Sequence, residues 1–205
     1  MLLQADVICL KETWLNDGEG EKGDYQLEGY RAFFNSVGPG KGVALFVKEG
    51  LRLGEAAKFT DANIQLTKLG MKGLEIINIY RSQDEPLPSA ARHLRDLLDP
   101  QTDTLLIGDV NVCATIANPL RNFLEGAGFR QLVTLPTHIK GGSFNFVFLP
   151  FSCHDSVLSG ILDHAHLRMR GQTRPRPVIV KTFTPYFTDH DIVTCFFPEL
   201  DQSSL

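Results

Sequence analysis

Three carboxylates that each lie at the end of an apolar run constrain this chain of 205 residues more than any other feature. They are Glu12, Asp109 and Asp189. A buried strand that ends in a carboxylate holds that group rigidly at the rim of a sheet, and a site for a divalent metal and a phosphate needs such rigid groups. The recurrence of this pattern predicts a strand-rich fold in which the three carboxylates converge on one concave site.

Apolar or alternating runs bounded by turn residues predict the strands. These runs cover residues 5–10, 42–47, 63–69, 75–80, 104–107, 143–148, 161–169, 178–184 and 191–197. Two helices are predicted, over 89–98 and 119–125, and the second has Asn118 as its N-cap and Pro119 at its first position. Many strands with few helices predict an α/β fold of two packed, mainly antiparallel sheets with helices outside.

The composition predicts one domain over residues 1–205. The chain has 43% hydrophobic and 21% charged residues, with no internal repeat and no low-complexity linker. It has neither a signal peptide nor an apolar stretch of roughly 18 residues, so we expect an intracellular protein, nuclear or cytoplasmic, with no membrane partner. A net charge of −4 argues against binding nucleic acid by charge alone, but a bound cation would offset the acidic site of a metal-dependent nuclease.

Five motifs in this chain resemble, in the same order, those of the endonuclease/exonuclease/phosphatase superfamily. The superfamily motifs are I-C-L-Q-E-T, N-x-Y, G-D-F-N, L-D-H or L-D-Y, and S-D-H. Here they appear as ICLKET over 8–13, NIY over 78–80, GDVN over 108–111, ILDH over 161–164 and TDH over 188–190. The resemblance implies a four-layer α/β sandwich that hydrolyses a phosphodiester bond of DNA with Mg²⁺, or with Mn²⁺ in its place.

The resemblance also implies roles for the acidic motifs. Glu12 and Asp189 would bind the metal, and Asp109 would position or deprotonate the attacking water. Asn111 would hydrogen-bond the phosphate as charge builds in the transition state. Because residues two apart on an extended segment face the same side, Asp109 and Asn111 are expected to point together, and an Asx turn at the strand end is the alternative.

His190 would contact the scissile phosphate, and Tyr80 would reach a phosphate oxygen from the end of its strand. The histidine needs an acidic partner that fixes its tautomer. We favour Asp163, because it lies in an L-D-H context 26 residues before Asp189 (189 − 163). The rival is Asn145, and if it holds that place the site is close to inactive, because the same Asp to Asn change in a Ser-His-Asp triad costs about 10⁴ in turnover.

Within the superfamily, Trp14-Leu15 and Pro136-Thr137-His138 are most similar to the endonuclease domains of non-LTR retrotransposons. The main departure is at the start, where Met1–Gln4 directly precede the glutamate strand. The family's first strand, with its metal-binding asparagine, has no counterpart. We therefore expect an unpaired sheet edge and weak nuclease activity, unless a further polypeptide segment supplies the strand.

Two other functional classes stay open. A catalytically inactive binding domain of the same fold would keep the surface without turnover. A phosphomonoesterase or lipid-headgroup phosphatase would use the same site on another phosphate, since a fold does not fix its substrate. A basic stretch, made of Arg168, Arg170, Arg174, Arg176 and Lys181, is either an extended loop along a DNA backbone or a solvated loop that balances an acidic chain.

Overall fold

A computed structural model describes residues 5–20, 23–71, 73–112 and 116–133 in full. Beyond residue 133 it describes the backbone of 138–139, 159–160, 163–168, 179–183 and 192–196, together with the burial of His166 and Arg168. No helix in these ranges is long and apolar enough to cross a membrane.

The described elements are strands β1 to β13 and helices α1 and α2. Their bounds, in chain order, are β1 Val7–Lys11, β2 Tyr30–Asn35, β3 Val43–Lys48, β4 Leu53–Asp61, β5 Ile64–Met71, β6 Leu74–Arg81, α1 Leu87–Leu97, β7 Asp103–Asp109, α2 Pro119–Gly126, β8 Arg130–Gln131, β9 His138–Ile139, β10 Ser159–Gly160, β11 Asp163–Arg168, β12 Ile179–Phe183 and β13 Ile192–Phe196.

Two sheets stack face to face. The larger has the order β4-β5-β6-β7-β11-β8, in which β6 and β7 are parallel and the other neighbours antiparallel. The smaller is antiparallel, in the order β1-β3-β2, and its strands pack on β4 to β7 of the larger one. The pairs β9–β10 and β12–β13 complete the described strands. The predicted α/β fold of two packed, mainly antiparallel sheets is confirmed.

The core has three apolar layers, because the strands of both sheets alternate their side chains between two faces. Leu45, Leu69, Ile76 and Leu105 fill the space between the sheets. Both described helices pack on the outer face of the six-stranded sheet. Helix α1 contributes Leu94 to this layer, and helix α2 contributes Leu120 and Leu124. The outer face of the three-stranded sheet packs against the segment that follows β1, through Leu15 and Leu27.

The element predictions that fall in the described residues are right where apolar spacing carries them and wrong where it does not, and the strand predicted over 143–148 lies outside these residues. Strands β2 and β4 were not predicted, because β4 is an edge strand whose side chains are mostly exposed and β2 has no clear alternation in its sequence. Helix α1 begins at Leu87 rather than at Ser89, with Pro88 in its first turn. A proline is tolerated there because the first amide groups of a helix have no partner within it. Helix α2 has the predicted N-cap, as Asn118 accepts a hydrogen bond from the Arg121 amide at 2.9 Å.

Candidate active site

The space between the two sheets changes from apolar to polar towards one rim. On β6, Leu74 and Ile76 pack in the apolar layer, whereas Asn78 and Tyr80 follow on the same face towards the end of the strand. The neighbouring strand β7 ends at Asp109 in register with Tyr80. All three polar side chains are buried, with at most 6% of their surface exposed. Buried polar groups need partners, and those at this rim come from both sheets.

Glu12 reaches this rim from the smaller sheet. It follows the last residue of β1 in a left-handed backbone conformation, with φ +50°. Its carboxylate acts on the Tyr80 phenol of the larger sheet. The pKa of Tyr80 lies well above its ordinary value, mainly through burial and then through the nearby Glu12 carboxylate, with a smaller effect of Asp109. Tyr80 therefore keeps its proton beside a carboxylate from the other sheet.

The loop after β7 differs from the extended segment expected for Asp109 and Asn111. The strand ends at Asp109, and Asn111 is left-handed with φ +49°. The Asn111 amide donates to Oδ1 of Asp109 at 2.8 Å, so the alternative Asx turn is what forms. The Asn111 side chain then turns back, and its Nδ2 donates to the Arg81 carbonyl at 2.9 Å. The expectation that the two side chains point together along an extended strand was wrong, because Asn111 leaves the extended conformation and its backbone amide donates to Oδ1 of Asp109.

Gly108 allows strand β7 to approach β6 closely just before this turn. Its φ is +147°, a region that side-chain-bearing residues rarely adopt. A Cβ atom at this position would lie 1.8 Å from the Ile79 carbonyl oxygen. The glycine of the GDVN motif therefore sets where Asp109 leaves the sheet.

Arg81 supports the backbone of this loop, although sequence reasoning did not single out this residue, which directly follows the NIY motif. Its guanidinium is buried and donates to four backbone carbonyls, those of Glu85 at 2.9 Å, Val110 at 2.5 Å, Asn111 at 3.4 Å and Gln83 at 3.5 Å. Burial lowers the pKa of Arg81, while Glu85 and then Asp109 oppose that change. The arginine thus fixes the backbone that carries Asn111.

Lys11 brings a positive charge to the same rim and is the second residue that sequence reasoning missed. Burial lowers its pKa to about 8, against the attraction of Asp109, Cys9 and Glu12. The signal was present in the sequence, because the superfamily motif I-C-L-Q-E-T has a glutamine where ICLKET has this lysine.

Two asparagines connect the sheets in opposite directions at the rim. Asn78 of β6 donates from Nδ2 to the carbonyls of Leu10, at 2.8 Å, and Ala44, at 3.0 Å. Asn35 of β2 donates in the reverse direction, to the carbonyls of Phe59 and Leu66 at 2.8 and 2.9 Å. Since Leu10 lies two residues before Glu12, the Asn78 contact positions the strand end that carries the carboxylate.

Asp163 lies at the same rim as the first residue of β11, and its Cα pairs with that of Asp109. The structure therefore brings Glu12, Tyr80, Asp109 and Asn111 together and places the backbone of Asp163 beside them. Asp189, His190 and Asn145 lie outside the described residues, so the choice between Asp163 and Asn145 as the histidine's partner stays a prediction.

One residue of the basic stretch, Arg168, is buried in the core rather than exposed on a loop. Arg168 is only 2% exposed, and its guanidinium donates to the carbonyls of Asp99 and Thr102 and covers the Phe129 ring at 4.8 Å. It ends β11 opposite Thr104, at the other end of the strand from Asp163. A place for Arg168 on a DNA-facing loop is therefore ruled out, because its side chain closes the far end of the larger sheet.

The fold matches solved nucleases and phosphatases at low sequence identity. The TRAS1 endonuclease domain, from a telomere-specific non-LTR retrotransposon, is 14% identical, with a TM-score of 0.62 over 95% of this chain and 86% of that one. An AP endonuclease from Archaeoglobus fulgidus is 15% identical, with a TM-score of 0.65 over 96% and 90%. The 3′ phosphatase NExo from Neisseria, bound to a product DNA hairpin, is 16% identical, with a TM-score of 0.65 over 94% and 88%.

The chain has the endonuclease/exonuclease/phosphatase fold. This confirms the expected resemblance in three dimensions. No family model and no curated protein matches the sequence. At these identities the matches establish the fold, and the argument for a reaction rests on the residues at the rim.

The rim suits a hard divalent cation. Its described donors are the carboxylates of Glu12 and Asp109, which are of the kind that Mg²⁺ and Mn²⁺ prefer. In the described part of the chain, no three His, Cys, Asp or Glu residues come together. Mg²⁺ characteristically takes one or two carboxylates and fills its other positions with water and substrate phosphate. Glu12 is a carboxylate of that kind, and Asp189, the other predicted metal ligand, lies outside the described residues.

Proposed function

We propose that this chain is a metal-dependent phosphodiester hydrolase that acts on DNA, of the endonuclease type found in non-LTR retrotransposons. The observation that carries the proposal is the meeting of Glu12, Tyr80 and Asp109 at one rim, where the end of β1 meets the ends of β6 and β7. Residues distant in sequence thus form an oxygen-rich cluster in which Tyr80 and Asp109 are buried and Glu12 is partly exposed. Carboxylates in such a place are costly unless donors or a cation offset their charge.

Mg²⁺, or Mn²⁺, is the proposed cofactor, with Glu12 and Asp189 as its protein ligands. When bound, the ion would offset the charge that develops on the phosphate oxygens. The remaining roles belong to the chain's own side chains. The Tyr80 phenol lies beside the Glu12 carboxylate, and its raised pKa keeps it protonated, so that it can donate to a phosphate oxygen.

Asp109 is proposed to hold or deprotonate the attacking water. Asn111 fixes the Asp109 carboxylate through its amide at 2.8 Å, which leaves the acid in one orientation. His190 is proposed to contact the scissile phosphate, with Asp163 as the partner of its ring. The register of Asp163 with Asp109 supports that assignment, because it places the backbone of Asp163 at the same rim.

DNA is the proposed substrate because of what the matched structures are. The Neisseria phosphatase is bound to a DNA hairpin, and the TRAS1 domain is an endonuclease of a retrotransposon. The similarity of Trp14-Leu15 and Pro136-Thr137-His138 to retrotransposon endonucleases favours the endonuclease type.

Nicking of supercoiled plasmid in the presence of Mg²⁺ tests the proposal. Glu12→Gln should reduce nicking by about a hundredfold or more, because it removes the charge of a ligand and keeps its shape. Glu55→Gln is the matched control, since Glu55 is exposed on the edge strand β4 and should nick like the wild type. Equal nicking by the wild type and Glu12→Gln would contradict the assigned site, and no nicking by the wild type would favour the inactive binding domain.

A phosphomonoesterase is the second candidate, because one matched structure is a 3′ phosphatase. A DNA hairpin that ends in a 3′ phosphate, incubated in parallel with the plasmid, separates the two. Release of inorganic phosphate without nicking would replace the endonuclease assignment, whereas nicking without phosphate release would support it.

A further inference from the structure

The direction of Lys11 follows from the alternation along β1. Val7 and Cys9 pack in the apolar layer between the sheets, and Ile8 packs on the opposite, outer face. Leu10, which shares the outer face, is 45% exposed. Lys11 therefore continues the inward face of Val7 and Cys9 and points into the polar end of the space between the sheets.

Two carboxylates attract the ammonium group there. Asp109, which is 1% exposed, and Glu12, the next residue in the chain, both act on Lys11. A charge held between stacked sheets is screened less than a surface charge, so these attractions are stronger than in water. The rim thus carries its own positive charge beside the carboxylates that the proposed function assigns to a metal and to water.

We propose that the Lys11 ammonium is a built-in counter-cation of the Glu12 and Asp109 carboxylates, and that it weakens the binding of a divalent cation at this site. The inference rests on the proposed function, since it concerns the affinity of the proposed metal site. The ammonium neutralises part of the negative charge that attracts the metal and repels a second cation at the same carboxylates. The glutamine of the superfamily motif can do neither, because it is uncharged.

Direct titration with Mn²⁺, followed by the electron paramagnetic resonance signal of the free ion, measures this without requiring turnover. Lys11→Gln should bind Mn²⁺ about tenfold more tightly than the wild type, because the positive charge beside the carboxylates is gone. Lys11→Arg keeps the charge and should bind no more tightly than the wild type. Lys48→Gln is the matched control for net charge, because Lys48 is exposed at the end of β3 that lies away from Lys11. The Mn²⁺ affinity of this variant should differ from that of the wild type by less than about twofold.

The outcomes separate the inference from the proposed function. The inference is overturned if the wild type binds Mn²⁺ and Lys11→Gln binds it equally tightly. It is also overturned if Lys48→Gln tightens Mn²⁺ binding as much as Lys11→Gln does. Either result leaves the metal site standing. If no variant binds Mn²⁺ and Glu12→Gln behaves like the wild type, the proposed metal dependence fails and the inference fails with it.

Thermal melting of the variants without metal is a second measurement, which applies even if Lys11→Gln folds poorly. Loss of the counter-cation leaves the Glu12 and Asp109 carboxylates without the charge that offsets them, so Lys11→Gln and Lys11→Met should both melt below the wild type in chelator and regain stability when Mn²⁺ is added. If Lys11→Gln and Lys11→Met are unfolded and Mn²⁺ does not restore their folding, the inference is overturned. The lysine would then be needed for packing rather than for its charge.

Discussion

At the scale of single residues, the site depends on backbone positions as much as on the chemical groups they carry. Gly108 adopts a φ of +147° and lies so close to Ile79 that there is no space for a Cβ atom. Any side chain here would push β7 away from β6 just where Asp109 must face Tyr80. The motif glycine is therefore a packing requirement, and its loss should affect both stability and the site.

Gly108→Ala is expected to lower the free energy of unfolding by about 3 kcal/mol, since it combines a clash with backbone strain. Urea unfolding followed by circular dichroism measures the change. Gly126→Ala is the matched control, because Gly126 ends helix α2 with no atom within 4 Å of its Cβ position, and it should be neutral or stabilising. Equal stability of the wild type and Gly108→Ala would show that the strands can separate without cost.

Tyr80→Phe tests the proposed role of the phenol at the rim. Removal of the hydroxyl takes away a donor beside the Glu12 carboxylate and the proposed phosphate position, so nicking should fall by about 10- to 100-fold while the melting temperature changes little. Tyr25→Phe provides the control, as Tyr25 is 46% exposed and outside the site. A large loss of stability with normal nicking per folded molecule would assign Tyr80 to the core instead.

At the scale of elements, the two sheets are held in register by asparagines that cross the space between them. Asn78 and Asn35 lie in different sheets, and each donates to two carbonyls of the other sheet. Apolar packing has no preferred direction and tolerates sliding, whereas these hydrogen bonds have defined partners. The asparagines therefore determine where the end of β1 meets the ends of β6 and β7.

Asn78→Ala should lower the free energy of unfolding by about 2 to 4 kcal/mol, because two buried carbonyls lose their donor and a small cavity forms. It should also reduce Mn²⁺ affinity, since Glu12 follows Leu10, whose carbonyl the asparagine holds. Asn122→Ala, at an exposed position of α2, should change neither quantity. Weaker stability with unchanged Mn²⁺ binding would separate the sheet contact from the placement of Glu12.

Sequence patterns predicted the elements whose apolar residues face a core, such as β3, β5, β6 and β7, because burial leaves a period that can be read directly. They missed β4, whose exposed edge leaves no such period. At the site, the motifs identified Glu12, Tyr80 and Asp109, but they did not show the turn at Asn111. That turn depends on Arg81 binding the loop backbone, which is a contact between residues 30 apart.

At the scale of the whole molecule, one apolar layer is shared by both sheets, so the chain should behave as a single domain. Val47 of the smaller sheet packs in the same cluster as Leu69 and Ile76 of the larger one. Neither sheet can leave the other without exposing this layer to water. Within the described strands β1 pairs only with β3, so the prediction of a further segment along its other edge stays a prediction.

Hydrogen exchange measured by mass spectrometry checks the single domain. Amides of β3 and β6, which are central strands of the two sheets, should exchange through the same global opening and give equal free energies. Opening free energies that differ by more than about 2 kcal/mol would show that the sheets unfold as separate units.

At Glu12 and Asn111 the backbone is left-handed, which lowers stability, while the side chains at these two positions have proposed roles in activity. Glycine adopts this conformation without the penalty of roughly 1 kcal/mol that a side chain incurs, and asparagine tolerates it better than glutamate does. A library selected only for heat resistance would therefore enrich glycine at position 12 and discard the carboxylate. Stabilised versions of this chain should be sought with position 12 kept as glutamate, because the substitution to glycine that would raise stability there removes a proposed metal ligand.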